Sequence, residues 1–378
     1  MPLQVNNVQQ REQVFVSALP GLEPALEAEA EAFGLSPQRV EGGVELTGAP
    51  GLHQEANLRL RTASRVLLRL GRFAAPDVAA LTKGLAGLPL GRVWDGWTAP
   101  SLSVALHRSR LKGQDAVMAA AARAWGLPSV ERAGPLDEEV SEGLTLLVRL
   151  EGDTCTVSAD TSGEALHRRG YRQEVSRAPL RETLAAGILV LAGYDGVEPL
   201  VDPMCGSGTF LIEGAWMSRR RAPGLSRTFA FERFPGFDAA GWSERKARAQ
   251  AESLPAPRSV PRGYDINAGA LGTARRNARR AEVTLTLERQ DVRTLALPSG
   301  LGPGLVVVNP PYGKRVGEAE DLPGLYRALG ATFRRSFAGW RVAVLVPEEQ
   351  GLIRALGLPE ARSLPVRNGG LRCRLLLT

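Results

Sequence analysis

The chain is poor in cysteine, histidine and lysine. It holds three cysteines (Cys155, Cys205, Cys373) and three histidines (His53, His107, His167), all far apart. Such scatter excludes a disulfide framework and supplies no zinc-ligand spacing. No run of about 18 apolar residues occurs, so no membrane span is expected. The N-terminus, Met1-Pro2-Leu3-Gln4-Val5-Asn6-Asn7, lacks a charged segment leading into an apolar one, which argues against a secretory signal. The resulting expectation is a cytoplasmic, metal-free protein. Only four of the 47 basic residues are lysine. The net charge of +7 and pI near 9.7 fit a polyanion-binding surface. The arginine bias comes with heavy Ala, Gly and Pro use, a pattern that genome nucleotide composition also produces. Charge therefore supports nucleic-acid binding only modestly.

At 378 residues the chain has room for two or three domains. Residues 1–56 read as a small unit: a strand from Glu12, a helix over Leu22 to Phe33, and a strand over Val40 to Leu46 with Gly42-Gly43 at a bulge or turn. Glu29 interrupts the apolar stripe of that helix. Residues 57–165 read as a second α+β module. Within it, a basic loop with Arg108, Arg110 and Lys112 runs into a helix over Gln114 to Trp125. A hairpin follows, turning at Gly152-Asp153. The loop suits an RNA surface and equally a solvated charged loop. Residues 166–177 look like a linker, Gly-containing and basic, with Arg168 and Arg169. From 178 to 378 helices alternate with short apolar strands, the mark of a parallel α/β domain. Pro365 to Leu376 reads as a terminal hairpin turning at Asn368-Gly369.

The chemistry concentrates at strand ends of that last region. The apolar run Gly304 to Val308 reads as a buried strand and leads into Asn309-Pro310-Pro311-Tyr312. Two prolines fix the backbone and remove two N–H donors. What remains is a set of acceptors suited to gripping the exocyclic amino group of a planar base, with the Tyr312 ring expected to stack on the base face. A Pro-rich turn after a core strand is the plainer alternative. Upstream, Asp202-Pro203-Met204-Cys205-Gly206-Ser207-Gly208-Thr209 lies between a strand and a helix. Gly206 and Gly208 permit a tight turn and close ligand approach. Leu211 stands where a dinucleotide fingerprint requires a third glycine, and no Gly-Lys-Ser/Thr completes a phosphate loop. An acidic residue entering such a loop suits a ligand with an amino group, such as S-adenosylmethionine.

Asp265 with Ile266 ends the next strand, where the carboxylate suits ribose hydroxyls and the Ile an adenine ring. Asp291 with Val292 ends the third, placed to accept from an adenine amino group. Each such residue alone is more often a helix cap or turn former. Asp202, Asp265, Asp291 and Asn309 in register at successive strand ends favour one shared crevice. Cys205 is read as a small loop residue, since methyl transfer needs no thiolate. The aromatic-rich segment 222–258 is expected to pack a local subdomain onto the core, with a rim around the base pocket as the alternative.

The chain resembles the THUMP-domain RNA guanine-N2 methyltransferases of the RlmL/YpsC type. The marks are Asp160 to Arg172, Ala178 to Leu184, Asp202 to Ile212 and Asn309 to Gly313. The resemblance implies a ferredoxin-like unit, then a THUMP module gripping structured RNA. A Rossmann-like domain would follow, with a mostly parallel seven-stranded sheet closed by an antiparallel hairpin. It implies S-adenosylmethionine as cofactor and the guanine 2-amino group as acceptor, with Asn309, Pro310, Pro311 and Tyr312 at the reacting base. Asp202, Cys205 to Thr209, Asp265, Ile266, Asp291 and Val292 would hold the cofactor. Arg108, Arg110, Lys112, Arg168, Arg169, Lys314 and Arg315 would meet RNA. Large-subunit ribosomal RNA is the first expectation and transfer RNA the second. Adenine-N6 methylation of DNA and a catalytically dead RNA scaffold remain open. The chain is expected to carry one methyltransferase domain and no second one.

Overall fold

A computed structural model describes residues 11–134, 143–173, 180–312 and 321–378. Two sheets organise them. The first joins β1 (Glu12–Ser17), β2 (Gln38–Val40), β3 (Gly43–Gly48), β4 (Arg65–Ala74), β5 (Ser101–His107), β6 (Glu131–Arg132), β7 (Thr145–Glu151) and β8 (Thr154–Asp160). Their order is β2-β3-β1-β4-β8-β7-β5-β6. β1 to β3 are antiparallel neighbours, with a hairpin turn rather than a bulge at Gly42. The accompanying helices are α1 (Glu23–Ala32), α2 (Leu52–Arg59), α3 (Val78–Ala86) and α4 (Gln114–Trp125). β4 hydrogen-bonds to β1 on one side and β8 on the other, so one sheet runs through both N-terminal segments. The boundary expected at 56–57 falls inside α2.

Glu29, which spoiled the apolar stripe of α1, is buried with its partners. Its carboxylate accepts from the Arg61 and Thr62 amides, both at 2.9 Å, and from the Thr62 hydroxyl at 2.7 Å. A buried carboxylate so satisfied is tolerated on a core-facing stripe.

The second sheet has seven strands: β9 (Leu200–Asp202), β10 (Arg262–Asp265), β11 (Thr286–Arg289), β12 (Leu305–Val308), β13 (Arg341–Pro347), β14 (Arg362–Asn368) and β15 (Leu371–Leu377). Their order is β11-β10-β9-β12-β13-β15-β14. The first five are parallel, while β15 pairs antiparallel with β13 and β14. The helices are α5 (Glu182–Leu191), α6 (Thr209–Ser218), α7 (Ala239–Ala251), α8 (Ala268–Arg280), α9 (Leu322–Ser336) and α10 (Gln350–Leu356). β12 is apolar throughout and wholly buried, as a strand covered on both faces must be.

The aromatic-rich segment packs away from the strand ends. Phe229, Phe231 and Trp242 join the core of the N-terminal sheet with Ala56 and Leu58 of α2. The Phe231 ring meets Trp242 edge-on at 5.0 Å and His53 at 5.3 Å. Each such ring contributes roughly 1.5–3 kcal/mol of burial. Ion pairs Arg245–Glu55 at 2.8 Å and Arg59–Glu252 at 2.5 Å line the same seam. The segment therefore staples the two sheets together, and the alternative of a base-pocket rim does not describe it.

Candidate active site

β11, β10, β9 and β12 lie side by side and parallel, so their carboxyl ends share one edge of the sheet. Asp265 closes β10 and Asp202 closes β9, while Asn309 follows β12 and Asp291 stands just beyond β11. The structure brings together the four residues that sequence spacing had aligned. The three aspartates share a local device: one carboxylate oxygen accepts the amide two residues on. The partners are Met204 at 3.0 Å, Asn267 at 2.8 Å and Arg293 at 2.8 Å. Turn-forming and ligand-facing roles are thus compatible, because a carboxylate has about four acceptor positions. Asp265 spends its second oxygen on the Gly206 amide at 2.9 Å, tying the glycine loop to the neighbouring strand. Asn267, next along, caps α8 through Gly269 and Ala270.

The glycines are needed for distinct reasons. Gly206 sits at φ 53° with open space where a side chain would project, and Gly208 sits at φ 81° against Ala274. Cys205 is buried, and burial together with Asp202 and Asp265 pushes its thiol up. A thiol so placed stays protonated, in keeping with a packing role. Asp202 is only 2% exposed, and burial followed by the nearby Asp265 charge raises its pKa well above the usual carboxylate range. Ile266 is 55% exposed at the end of β10, an apolar surface beside Asp265. Ser207 is half-buried, with its carbonyl accepting from Asn277 at 3.1 Å.

Asn309 is the most telling side chain. Its Oδ1 is buried and has no hydrogen-bond partner among the described residues. Beside it, Pro310 is buried and the Pro311 carbonyl accepts from the Tyr326 hydroxyl at 3.4 Å.

Several expectations are corrected. Tyr312 is not an open stacking platform: it is 2% exposed, packs with Leu184 and Phe210, and its hydroxyl accepts from Asn368 at 2.5 Å. Val292 turns its side chain into the core, and its carbonyl accepts from Thr332 at 2.7 Å. The Thr209 hydroxyl accepts from Arg172 at 2.6 Å, facing the linker. Arg169 is 3% exposed. It donates to the carbonyls of Leu166 and Arg61 and lies 3.8 Å from Glu213, so it is structural and cannot meet RNA. Arg168, its neighbour, is exposed, as are Arg108, Arg110 and Lys112 on the β5–α4 loop. Lys314 and Arg315 lie outside the described residues, as does Gly313. Among the described residues, no helix is long and apolar enough to cross a membrane, and no His, Cys, Asp and Glu group is placed to hold a metal ion.

The 3-2-1-4-5-7-6 strand order, the glycine turn after the first strand and the acidic strand ends define a Rossmann-like methyltransferase. The chain belongs to the RMKL-like methyltransferase domain family, whose model matches residues 169–376. A second model, the RlmL ferredoxin-like domain, matches residues 13–67. The chain is 36% identical to the ribosomal RNA large subunit methyltransferase K/L of Methylococcus capsulatus, over 96% of this chain and 50% of that protein. It thus spans about half the length of that curated relative, and the expectation of a single methyltransferase domain says nothing about a longer protein. A protein solved in complex with SAH superimposes with a TM-score of 0.83 at 26% identity, covering 97% of both chains. A predicted N6-adenine-specific DNA methylase from Listeria monocytogenes superimposes with a TM-score of 0.83 at 27% identity, covering 97% of this chain and 96% of that one.

Proposed function

We propose that the chain is an S-adenosylmethionine-dependent RNA methyltransferase that forms N2-methylguanosine in large-subunit ribosomal RNA. The observation that carries this reading is the buried, unpartnered Oδ1 of Asn309 at the carboxyl end of β12. An acceptor left so costs about 1–3 kcal/mol. The exocyclic amino group of a base supplies the missing donor.

The residues around it fit the cofactor. Asp202 is a buried carboxylate with no cation against it among the described residues, suited to an amino group. Asp265 retains acceptor capacity for ribose hydroxyls, exposed Ile266 offers an apolar face to adenine, and Gly206 leaves space above the loop. Bound S-adenosylmethionine would supply a methyl group already activated on a sulfonium. The chain's own task is alignment. Asn309 Oδ1 and the Pro310 carbonyl would accept hydrogen bonds from the two amino N–H groups of the base, drawing the nitrogen lone pair out of conjugation with the ring. Holding that nitrogen in line is the main catalytic contribution. Pro310 and Pro311 stiffen the loop, and Tyr312, tied to Asn368, anchors it to the terminal hairpin. Such a grip needs an unpaired or extruded base. The exposed Arg108, Arg110 and Lys112 are proposed to hold the RNA backbone.

Ribosomal RNA is favoured because the Methylococcus relative carries that description. The same acceptor pair suits the adenine amino group of DNA, the substrate in the description of the Listeria protein. Incubation with radiolabelled S-adenosylmethionine and separate pools of unmodified ribosomal RNA, transfer RNA and DNA, followed by nucleoside identification, decides. N2-methylguanosine in ribosomal RNA is the expected result. Label in transfer RNA moves the substrate, N6-methyladenine in DNA overturns the reading, and absence of both label and cofactor binding points to a scaffold.

A further inference from the structure

A basic cleft lies where the linker meets the 222–258 segment, away from the strand ends. Its volume is about 650 Å³, within the range of sites that hold organic ligands. Its walls carry Arg168, Arg227, Arg233 and Lys246 against a single acid, Glu164. The hydroxyl-bearing Ser226 and Thr228 stand among them, both exposed.

The cationic groups are held in place. Arg227 donates to the Ala165 carbonyl at 3.0 Å and to those of Arg168 and Glu164, and its guanidinium lies 5.1 Å from the Phe229 ring centroid. Its Nε is buried with no hydrogen-bond partner among the described residues. Burial lowers its pKa to about 10, which leaves the group charged at neutral pH. Lys246 Nζ lies 5.4 Å from the Trp242 ring centroid, which orients a side chain that is otherwise flexible. Among the described residues that line it, the cations outnumber the one acid, so the cleft favours an anion.

Position gives the anion its nature. The linker strand that forms one wall runs on from Gly170 through Tyr171, bonded to Glu213 of α6, to Arg172, which donates to Thr209 at the start of the same helix. Only Tyr171 separates the cleft wall at Gly170 from Arg172, whose side chain touches the glycine loop at Thr209. A polymer with repeated negative charge and its target base in the crevice would pass this cleft. We infer that the cleft built on Arg168, Arg227, Arg233 and Lys246 binds the phosphodiester backbone of the RNA substrate, at a stretch outside the strand-end crevice. This rests on the RNA reading above and joins Arg227, Arg233 and Lys246 to Arg168, which the sequence alone had put forward.

The test is RNA binding by Arg168→Glu, Lys246→Glu and the double variant, measured on unmodified large-subunit ribosomal RNA over a range of salt. Each lost phosphate contact lowers the slope of log affinity against log salt by about one and weakens binding by roughly tenfold near physiological salt. The double variant should show both effects, with a raised KM for RNA, unchanged kcat at saturation and unchanged S-adenosylmethionine affinity. Lys246→Arg should bind as the parent does. A second measurement needs no variant: acylation of Lys246, one of only four lysines, should be suppressed when RNA is bound. Parent-like affinity and slope in the double variant, or unchanged acylation of Lys246, overturns the cleft. If the parent itself binds no RNA, the functional reading fails and the cleft with it; loss confined to the cleft assays leaves that reading standing.

Discussion

The joint between the two sheets and the strand-end crevice both bury carboxylates, and they treat them differently. In the joint each buried acid faces a cation. Asp160 pairs with Arg65, Glu29 with Arg61 at 3.2 Å, Glu213 with Arg169 at 3.8 Å, and Glu182 with Arg172 at 3.6 Å. In the crevice Asp202 has one backbone amide and a second carboxylate nearby. Burial raises both Asp160 and Asp202. Arg65 pulls the first back down, whereas Asp265 pushes the second further up. The joint sets each buried acid against a cation of its own, even though Glu182 Oε2 and Glu213 Oε2 accept no hydrogen bond among the described residues, and so is a structural device. The crevice leaves acceptors and negative potential that only a partner outside the chain would complete.

Substitutions sharpen that contrast. Asp160→Ala leaves the Arg65 charge buried without its carboxylate and should destabilise the chain by about 3–5 kcal/mol, read from denaturant unfolding. Asn309→Ala should leave stability nearly unchanged and lower single-turnover methylation by about 100- to 1000-fold, with RNA affinity held within about twofold. Unchanged turnover would remove Asn309 from the mechanism. Asp202→Asn should weaken S-adenosylmethionine binding by roughly tenfold in calorimetry. Its effect on stability should run the other way. The raised pKa of Asp202 means that the folded chain keeps a proton which the unfolded chain has lost. That contribution is full below the unfolded value near 4 and fades as pH rises through the folded value. Asn does not titrate, so the melting temperature of the variant relative to the parent should climb as pH rises above about 4; a flat difference contradicts the raised pKa. Cys205→Ala should change methylation by less than about twofold, because the buried thiol takes no part in the transfer.

Much of the catalytic sheet was legible because strand ends carry period and chemistry together. Leu305 to Val308 could only be a buried strand, and Asp202, Asp265 and Asp291 each close a strand or a turn by the same local bond. The terminal hairpin was legible too, although its turn is Gly369-Gly370 rather than Asn368-Gly369. What escaped depends on contacts distant in sequence. Arg168 and Arg169 are chemically identical neighbours, and only the position of Glu213 and the Arg61 carbonyl decides that one is buried. Tyr312 looked like a stacking ring until Asn368, 56 positions away, claimed its hydroxyl. The aromatics of 222–258 carry no address, and their destination on α2 follows from the shape of the N-terminal core. Arg227 and Lys246 were missed for the same reason. Their one local signal is an aromatic nearby, Phe229 and Trp242.

β4 has a ladder on each flank, with β1 on one side and β8 on the other. The ferredoxin-like match ends at residue 67, inside that strand. A cut there would strand half a ladder and expose raw backbone edges on both fragments, an invitation to aggregation. The structural unit is therefore wider than residues 13–67: it is the whole sheet from β1 to β8, which should melt in a single transition.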